Sequence, residues 1–126
     1  MNQQELEALS YFEVNCLVAK SLGIDVDKYT FKEGIEVYQQ DDCLVACENG
    51  IHYFIFDNYC GDISDAWPII FENSIDIEWP DKDLGGVGQV SRYIQGNTYI
   101  AIEFTKKEEC LKVAMIVYLL MQGDNK

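Results

Sequence analysis

The sequence predicts one α+β domain over residues 1–126, with an antiparallel sheet packed on N- and C-terminal helices. Helix-start signals precede apolar residues at helical spacing near both ends of the chain. Between them, two pairs of short apolar runs flank the turn sequences Asn49-Gly50 and Gly96-Asn97. The composition agrees, because 48% hydrophobic residues with eight tyrosines and six phenylalanines indicate a packed core rather than a disordered acidic tail.

The first long helix is predicted over 10–22. Ser10 and Glu13 have the spacing of a capping box, in which each side chain satisfies a free backbone N–H of the other residue. Gly23 follows as a helix stop. The apolar residues at helical spacing are Val14, Leu17, Val18 and Leu22.

The strands form two hairpins and one further strand that completes the sheet. Asn-Gly between apolar runs is the strongest short-range hairpin signal, since both residues tolerate positive φ. The further strand, at 75–79, alternates apolar residues with Asp76 and Glu78 and is expected to be half-buried. We expect Trp67 and Trp79, on either side of this acidic segment, to be core residues. Strand signals fall at 43–47, 51–56, 75–79, 91–95 and 98–104, with a weaker one at 35–38.

A short helix is expected to begin at Asp62 or Ser64, with Pro68 in its first turn, where a missing N–H costs nothing. Its expected apolar face consists of Ala66, Trp67, Ile69 and Ile70. The segment Pro80–Gln89 contains three glycines and is expected to be a mobile loop.

The last helix is predicted over 106–121, after a second capping-box pair formed by Thr105 and Glu108. It is apolar on nearly all sides, which predicts either a central place in the core or an interface. A homodimer through helix 106–121 is therefore one expectation.

Charge is distributed unevenly along the chain. No Lys or Arg occurs between Lys32 and Lys82, and this stretch carries most of the net charge of −13. Such a surface repels nucleic acid and anionic membranes and attracts basic proteins. The twelve carboxylates between the two lysines are Glu33, Glu36, Asp41, Asp42, Glu48, Asp57, Asp62, Asp65, Glu72, Asp76, Glu78 and Asp81.

The cysteines and the first residues predict a reducing cytoplasm. The chain has five cysteines, its first residues are polar and acidic, and no run approaches the roughly 18 apolar residues that would suggest a membrane span. We therefore expect free thiols and no membrane contact.

A thiol site is the main enzymatic alternative. Cys60 lies in a polar loop and is expected to be exposed, and His52 is the chain's only histidine. A nucleophilic cysteine needs a base and a field that favours the thiolate, whereas the neighbours of Cys60 are anionic. A packed loop cysteine and a strand histidine are the simpler interpretation, and an enzyme is the less favoured class.

Metal and cofactor sites are not predicted. Cys43, Cys47, Cys60 and His52 could be combined into a zinc site, but Cys43 and Cys47 fall on an apolar strand rather than in a knuckle. Asp41, Asp42, Glu48 and Asp57 do not form a regular calcium loop. The glycines at 85–88 lack the Lys-Ser/Thr of a phosphate loop.

Three segments of the chain resemble the NinX family of small proteins from lambdoid phages and prophages. Phe56–Ile70, continued by Glu72, Asn73 and Ile75, is similar to the family's "D-x-C … D-A-W-P-I-I" segment. Leu111–Gln122 is similar to its closing "R-A-A-M-I-V-F-L-M-M-Q" helix, and Leu9–Asn15 to its "L-S-D-F-E-I-N" opening. The matches cover about a third of the residues in the right order.

The chain departs from the family pattern in two places. It has Lys112-Val113 where the family often has Arg-Ala, and Asn58–Asp62 where the family has a proline and asparagine run. The resemblance implies a phage-encoded protein that acts in the cytoplasm of a bacterial host. It implies no mechanism, because the family's function is not established.

The favoured hypothesis is a small acidic accessory protein that acts by protein–protein interaction. It would bind a basic host or defence protein, as a DNA-mimic-like inhibitor does, and would not bind nucleic acid directly. The alternatives are a small thiol enzyme centred on Cys60 and a homo-oligomeric assembly factor. The predicted partner-binding residues are Asp57, Asp62, Asp65, Glu72, Asp76, Glu78 and Asp81.

Overall fold

A computed structural model describes residues 1–30, 33–79, 86–94 and 98–123, and it confirms the α+β class. No helix within the described residues is long and apolar enough to cross a membrane. The helices are α1 (Gln3–Glu7), α2 (Tyr11–Ser21), α3 (Asp27–Thr30), α4 (Ile63–Glu72) and α5 (Cys110–Gly123), with a 3-10 turn at Lys107–Glu109 before α5. The strands are β1 (Ile35–Gln40), β2 (Cys43–Glu48), β3 (Ile51–Phe54), β4 (Asp76–Glu78), β5 (Gly88–Ile94) and β6 (Thr98–Phe104).

The strands form two antiparallel three-stranded sheets rather than the single sheet we expected. Sheet A has the order β1-β2-β3, and sheet B has the order β4-β5-β6. Each sheet is a predicted hairpin extended by one strand. The inner face of sheet B is apolar, with buried Val90 opposite both Ile77 and Ile102.

The first hairpin is confirmed, including its turn. Asn49 has φ 53° and Gly50 has φ 79°, the left-handed pair that suits the twist of a two-residue hairpin. The second hairpin is confirmed by the pairing of β5 with β6. Its turn at 95–97 lies outside the described residues, as does most of the predicted mobile loop, whereas Gly88 and Gln89 belong to β5.

The helix α2 begins where its predicted capping box places it. The Ser10 hydroxyl accepts a hydrogen bond from the Glu13 N–H at 3.1 Å, and the Glu13 carboxylate accepts one from the Ser10 N–H at 3.2 Å. The helix α1 has the same reciprocal arrangement between Asn2 and Glu5. These caps satisfy backbone donors that have no partner within the helix.

The helix α5 is the central element of the core. It contacts the helices α1, α2 and α4 and the strands β5 and β6. Every residue from Val113 to Tyr118 is buried, and no described side chain of α5 is exposed. The sequence predicted either a central place in the core or an interface for this helix, and the structure shows the central place in the core. Homodimerisation through 106–121 stays a prediction, and the burial of α5 gives it no free apolar face.

The position of Pro68 in α4 differs from our expectation. Asp62 caps the helix through its carboxylate and the N–H of Ser64 at 2.9 Å, so that Pro68 falls in the middle of the helix rather than in its first turn. A proline there removes the bond to the carbonyl of Ser64. Pro68 and Ser64 are both exposed, so water can solvate the carbonyl that is left free.

Candidate partner-binding surface

The acidic residues of the cation-free stretch that the structure describes all reach the surface. Of its twelve carboxylates, eleven lie within the described residues; eight are exposed, three are half-buried and none is buried. Six of the seven predicted partner-binding residues are among them. Asp81 lies outside the described residues.

One group of carboxylates surrounds the turn between β1 and β2 and the loop before α4. We call Asp41, Asp42, Asp57, Asp62 and Asp65 the acidic loop cluster. Burial and, to a smaller extent, the charges of four members of the cluster together raise the pKa of the Cys43 thiol to about 11. Sequence analysis considered Asp41 and Asp42 as part of a possible calcium loop and not as partner-binding residues. Only the fold brings their turn close to the loop before α4.

The charges within this group also act on one another. Partial burial raises the pKa of Asp65, the N–H of Asn58 lowers it by donating to the carboxylate at 3.1 Å, and the charges of Asp57 and Asp62 raise it. At Asp62, by contrast, hydrogen bonds from the hydroxyl and N–H of Ser64 lower the pKa. Asp62 is therefore firmly ionised at neutral pH, and the residue is exposed.

Asn15 holds the acidic loop cluster in place, and sequence analysis gave this residue no role. Its side chain is completely buried on α2. It donates to the carbonyl of Asp42 and to Oδ1 of Asn58, both at 2.9 Å, and accepts from the N–H of Cys60 at 2.9 Å. Two of the segments that resemble the NinX family therefore meet at this side chain.

A second group of carboxylates lies on the outer face of sheet B. Asp76 and Glu78 are exposed on β4 with one residue between them. Gln89 of β5 pairs with Glu78 on one side and with Glu103 of β6 on the other, which places Glu103 on the same face. Sequence analysis missed Glu103 because it lies outside the cation-free stretch. The register of the second hairpin relates it to Gln89, and the pairing of β4 with β5 relates Gln89 to Glu78.

Contrary to our expectation, Trp67 and Trp79 are not core residues, since they are 54% and 58% exposed. The helix α4 has two apolar sides. Its buried side carries Ala66, Ile69 and Ile70, and its exposed side carries Ile63, Trp67 and Phe71. A stripe at helical spacing does not reveal which of two apolar sides will be covered.

The exposed side of α4 and the strand β4 enclose a groove of 480 Å³. We call it the aromatic groove and define it by Ile63, Trp67, Phe71, Trp79, Ile75 and Ile77. The rings of Trp67 and Phe71 lie 6.3 Å apart, and the indole of Trp79 meets the buried ring of Phe104 edge-on at 6.2 Å. Asp76 is the one charged residue among the described residues that line it.

The thiol hypothesis meets a structural obstacle at Cys60. The residue is 1% exposed, contrary to our expectation of an exposed loop cysteine, because Asn15 draws its backbone into the core. Burial outweighs the opposing charge of Lys112, and the pKa of its thiol is raised to about 12. The ring nitrogens of His52 instead face the Tyr38 hydroxyl at 3.0 Å and the Cys47 sulfur at 3.7 Å.

The metal alternatives can be compared with the geometry. Within the ranges that the structure describes, no group of three or more His, Cys, Asp or Glu side chains converges in a way that could hold a metal ion. All five cysteines are free thiols, and Cys43, Cys60 and Cys110 are buried.

Comparison with known proteins adds one structural likeness. A solved structure of a phage protein from Bacillus cereus is similar to this chain over 89% of each chain, with a TM-score of 0.48 and 15% sequence identity. A likeness at this level establishes neither a family nor a function. No family model and no curated protein matches the chain. The resemblance to the NinX family therefore depends on the three sequence segments alone.

Proposed function

We propose that the chain is a phage-encoded accessory protein that binds a positively charged host or defence protein in the bacterial cytoplasm. The observation that carries the proposal is the surface position of all eleven described carboxylates in a stretch without Lys or Arg. The resemblance of three segments to the NinX family supports the phage origin.

Electrostatics supports binding by this surface to a basic protein. A field of one sign attracts a partner of opposite charge over roughly a Debye length, about 10 Å at 0.1 M salt, and raises the association rate. The same field repels phosphates, which opposes direct nucleic-acid binding. The pairs that form at the rim of such an interface contribute mainly to rate and specificity.

The partner we favour is a nucleic-acid-binding protein that the chain inhibits by imitating DNA. Asp76 and Glu78 lie two residues apart on one strand, a spacing of about 6.6 Å. With Glu103, which lies across the sheet from Glu78, they form a patch of negative charge that can face a channel lined by Lys and Arg. Such binding weakens steeply with salt, as phosphate binding does.

The test is affinity capture from a bacterial lysate with washes of rising salt, using two charge-reversal variants. Asp76→Lys with Glu78→Lys reverses charges on the proposed surface. Asp27→Lys with Glu108→Lys changes the net charge equally at exposed positions outside the cation-free stretch. We expect a basic protein that the wild type and the control retain at low salt and that the surface variant loses. Equal retention by all three contradicts the proposal.

The DNA-mimic part has its own test. The captured protein is purified and loaded with a fluorescently labelled DNA duplex, and the chain is added while anisotropy is recorded. Inhibition by mimicry predicts that the wild type releases the duplex and that the surface variant does not. A duplex that stays bound while the chain also binds removes the mimic, although the interaction itself remains.

A further inference from the structure

We infer that the aromatic groove docks a segment of the partner that carries bulky apolar side chains beside Lys or Arg, as an amphipathic basic helix does. The inference rests on the proposed function for the positive charge of the partner. It adds the location of the contact and the apolar part of what is recognised.

The first observation is the apolar surface that the groove leaves in water. Phe71 is 71% exposed, and both tryptophans of the chain are more than half exposed beside it. Aromatic side chains bury about 150–250 Å² each when covered, so these three leave roughly 350 Å² in contact with water. That is the size of the largest apolar patch on a typical monomer, a patch that often marks an interaction site.

The second observation is that the fold does not require this patch. The helix α4 is attached to the core by its other side, through Ala66, Ile69 and Ile70. The exposed aromatic residues therefore add little to the packing of α4. Tryptophan is among the residue types enriched at the positions where truncation weakens an interface most, so two exposed tryptophans suggest that this surface binds a partner.

The third observation is charge complementarity, which identifies the occupant. Asp76 lines the groove, and exposed Glu72 and Glu78 directly adjoin Phe71 and Trp79 in the chain. No Lys or Arg occurs in this part of the sequence. If the partner carries cationic residues beside the apolar side chain that enters the groove, these carboxylates attract them. They repel anionic residues at the same position. A second copy of the chain would bring the same carboxylates toward these ones, so a basic partner is the better fit.

The two tryptophans allow a direct test, because the chain has no other and both line the groove. The probe is a synthetic helix of about four turns without tryptophan, with leucine on one face and lysine on the other. We expect it to shift tryptophan emission to shorter wavelength and to reduce acrylamide quenching, with saturation.

Two variants of the protein locate the binding. Phe71→Ser removes the most exposed aromatic residue of the groove, and we expect it to weaken binding of the probe about tenfold or more. Ile51→Ser is the matched control, since Ile51 is 67% exposed on β3 of the other sheet. Far-UV circular dichroism checks that both variants are folded. Equal affinity of wild type and Phe71→Ser overturns the inference, as does an emission spectrum that the probe leaves unchanged.

Altered probes separate this inference from the proposed function. A probe with serine in place of leucine should bind weakly, and one with glutamate in place of lysine should not bind. If the serine probe binds as well as the original, the groove is not the site, although the acidic surface can still bind a basic protein. If the glutamate probe binds equally well, both the inference and the proposed function fail. A blue shift that grows with protein concentration alone identifies a second copy as the occupant and overturns the inference.

Discussion

Asn15 shows how one buried amide can determine the shape of a surface. Its amide nitrogen bonds the turn before β2 and the loop before α4, and its oxygen bonds the backbone of Cys60. Few other side chains can donate twice and accept once from the same place. The acidic loop cluster is therefore held in position by a neutral residue that lies beneath it in the core.

Replacing Asn15 by leucine should lower the free energy of unfolding by about 2–4 kcal/mol, because it leaves buried polar groups without partners. Urea denaturation followed by far-UV circular dichroism measures the change. The control is Asn73→Leu, which removes one bond from a half-buried side chain to the carbonyl of Ile69 at 2.8 Å and should cost about 1 kcal/mol. Losses of equal size would show that the three hydrogen bonds of Asn15 stabilise the fold no more than the single bond of Asn73 does.

The buried thiols predict how stability depends on pH. Burial raises the pKa of Cys60 from 9.0 to about 12, and that of Cys43 and Cys110 to about 11. Above pH 9 the unfolded chain loses protons that the folded chain keeps, so the free energy of unfolding falls as pH rises. The contribution is complete below pH 9 and is lost as the pH passes the folded pKa of about 12.

Urea denaturation at a series of pH values measures this decline. Cys60→Ala should be less stable at neutral pH because it leaves a cavity, but its stability should fall less steeply between pH 9 and 12. The two chains share every other titrating group, so the difference in slope belongs to Cys60. Parallel curves would contradict the assigned pKa.

At the scale of elements, some parts with local determinants were predictable. The capping box predicted at Thr105 and Glu108 was wrong, because no side chain caps the 3-10 turn there and α5 begins at Cys110. The caps of α2 and the Asn49-Gly50 turn depend on residues within a few positions of each other, and both formed as expected. The division into two sheets depends on which strand joins each hairpin, which local pattern does not decide. The exposure of Trp67 and the burial of Cys60 likewise depend on residues distant in sequence, so the aromatic groove could not be predicted.

Gly88 is an element-scale constraint within sheet B. A Cβ at this position would lie 2.8 Å from the carbonyl oxygen of Glu78 and would collide with the ring of Phe104. Gly88→Ala should therefore lower the free energy of unfolding by about 1–3 kcal/mol in urea denaturation. The sharper measurement adds Phe104→Leu, which removes the ring: the two losses should be clearly less than additive. Additive losses would show that the added methyl group does not collide with the ring of Phe104.

At the scale of the whole molecule, charge opposes the compact state. The net charge is −13, and two like charges 10 Å apart in water repel each other by about 0.4 kcal/mol. The core, with α5 at its centre, must outweigh this repulsion. The excess of negative charge therefore lowers the stability of the folded protein.

Salt should stabilise this protein. Raising NaCl from about 20 mM to about 300 mM screens the repulsion and should increase the free energy of unfolding by on the order of 1 kcal/mol. Urea denaturation at both salt concentrations measures the increase. The Asp76→Lys, Glu78→Lys variant should show a smaller increase, since it carries less net charge. A wild type that salt leaves unchanged or destabilises would contradict the prediction.

The central position of α5 also has a consequence for how the protein is made. A ribosome synthesises this helix after every other described element, yet α1, α2, α4 and sheet B all pack against it. The earlier elements therefore leave the ribosome without the surface that covers their apolar faces. The chain must complete its core after α5 has been translated, and during that interval chaperones are its natural protection from aggregation.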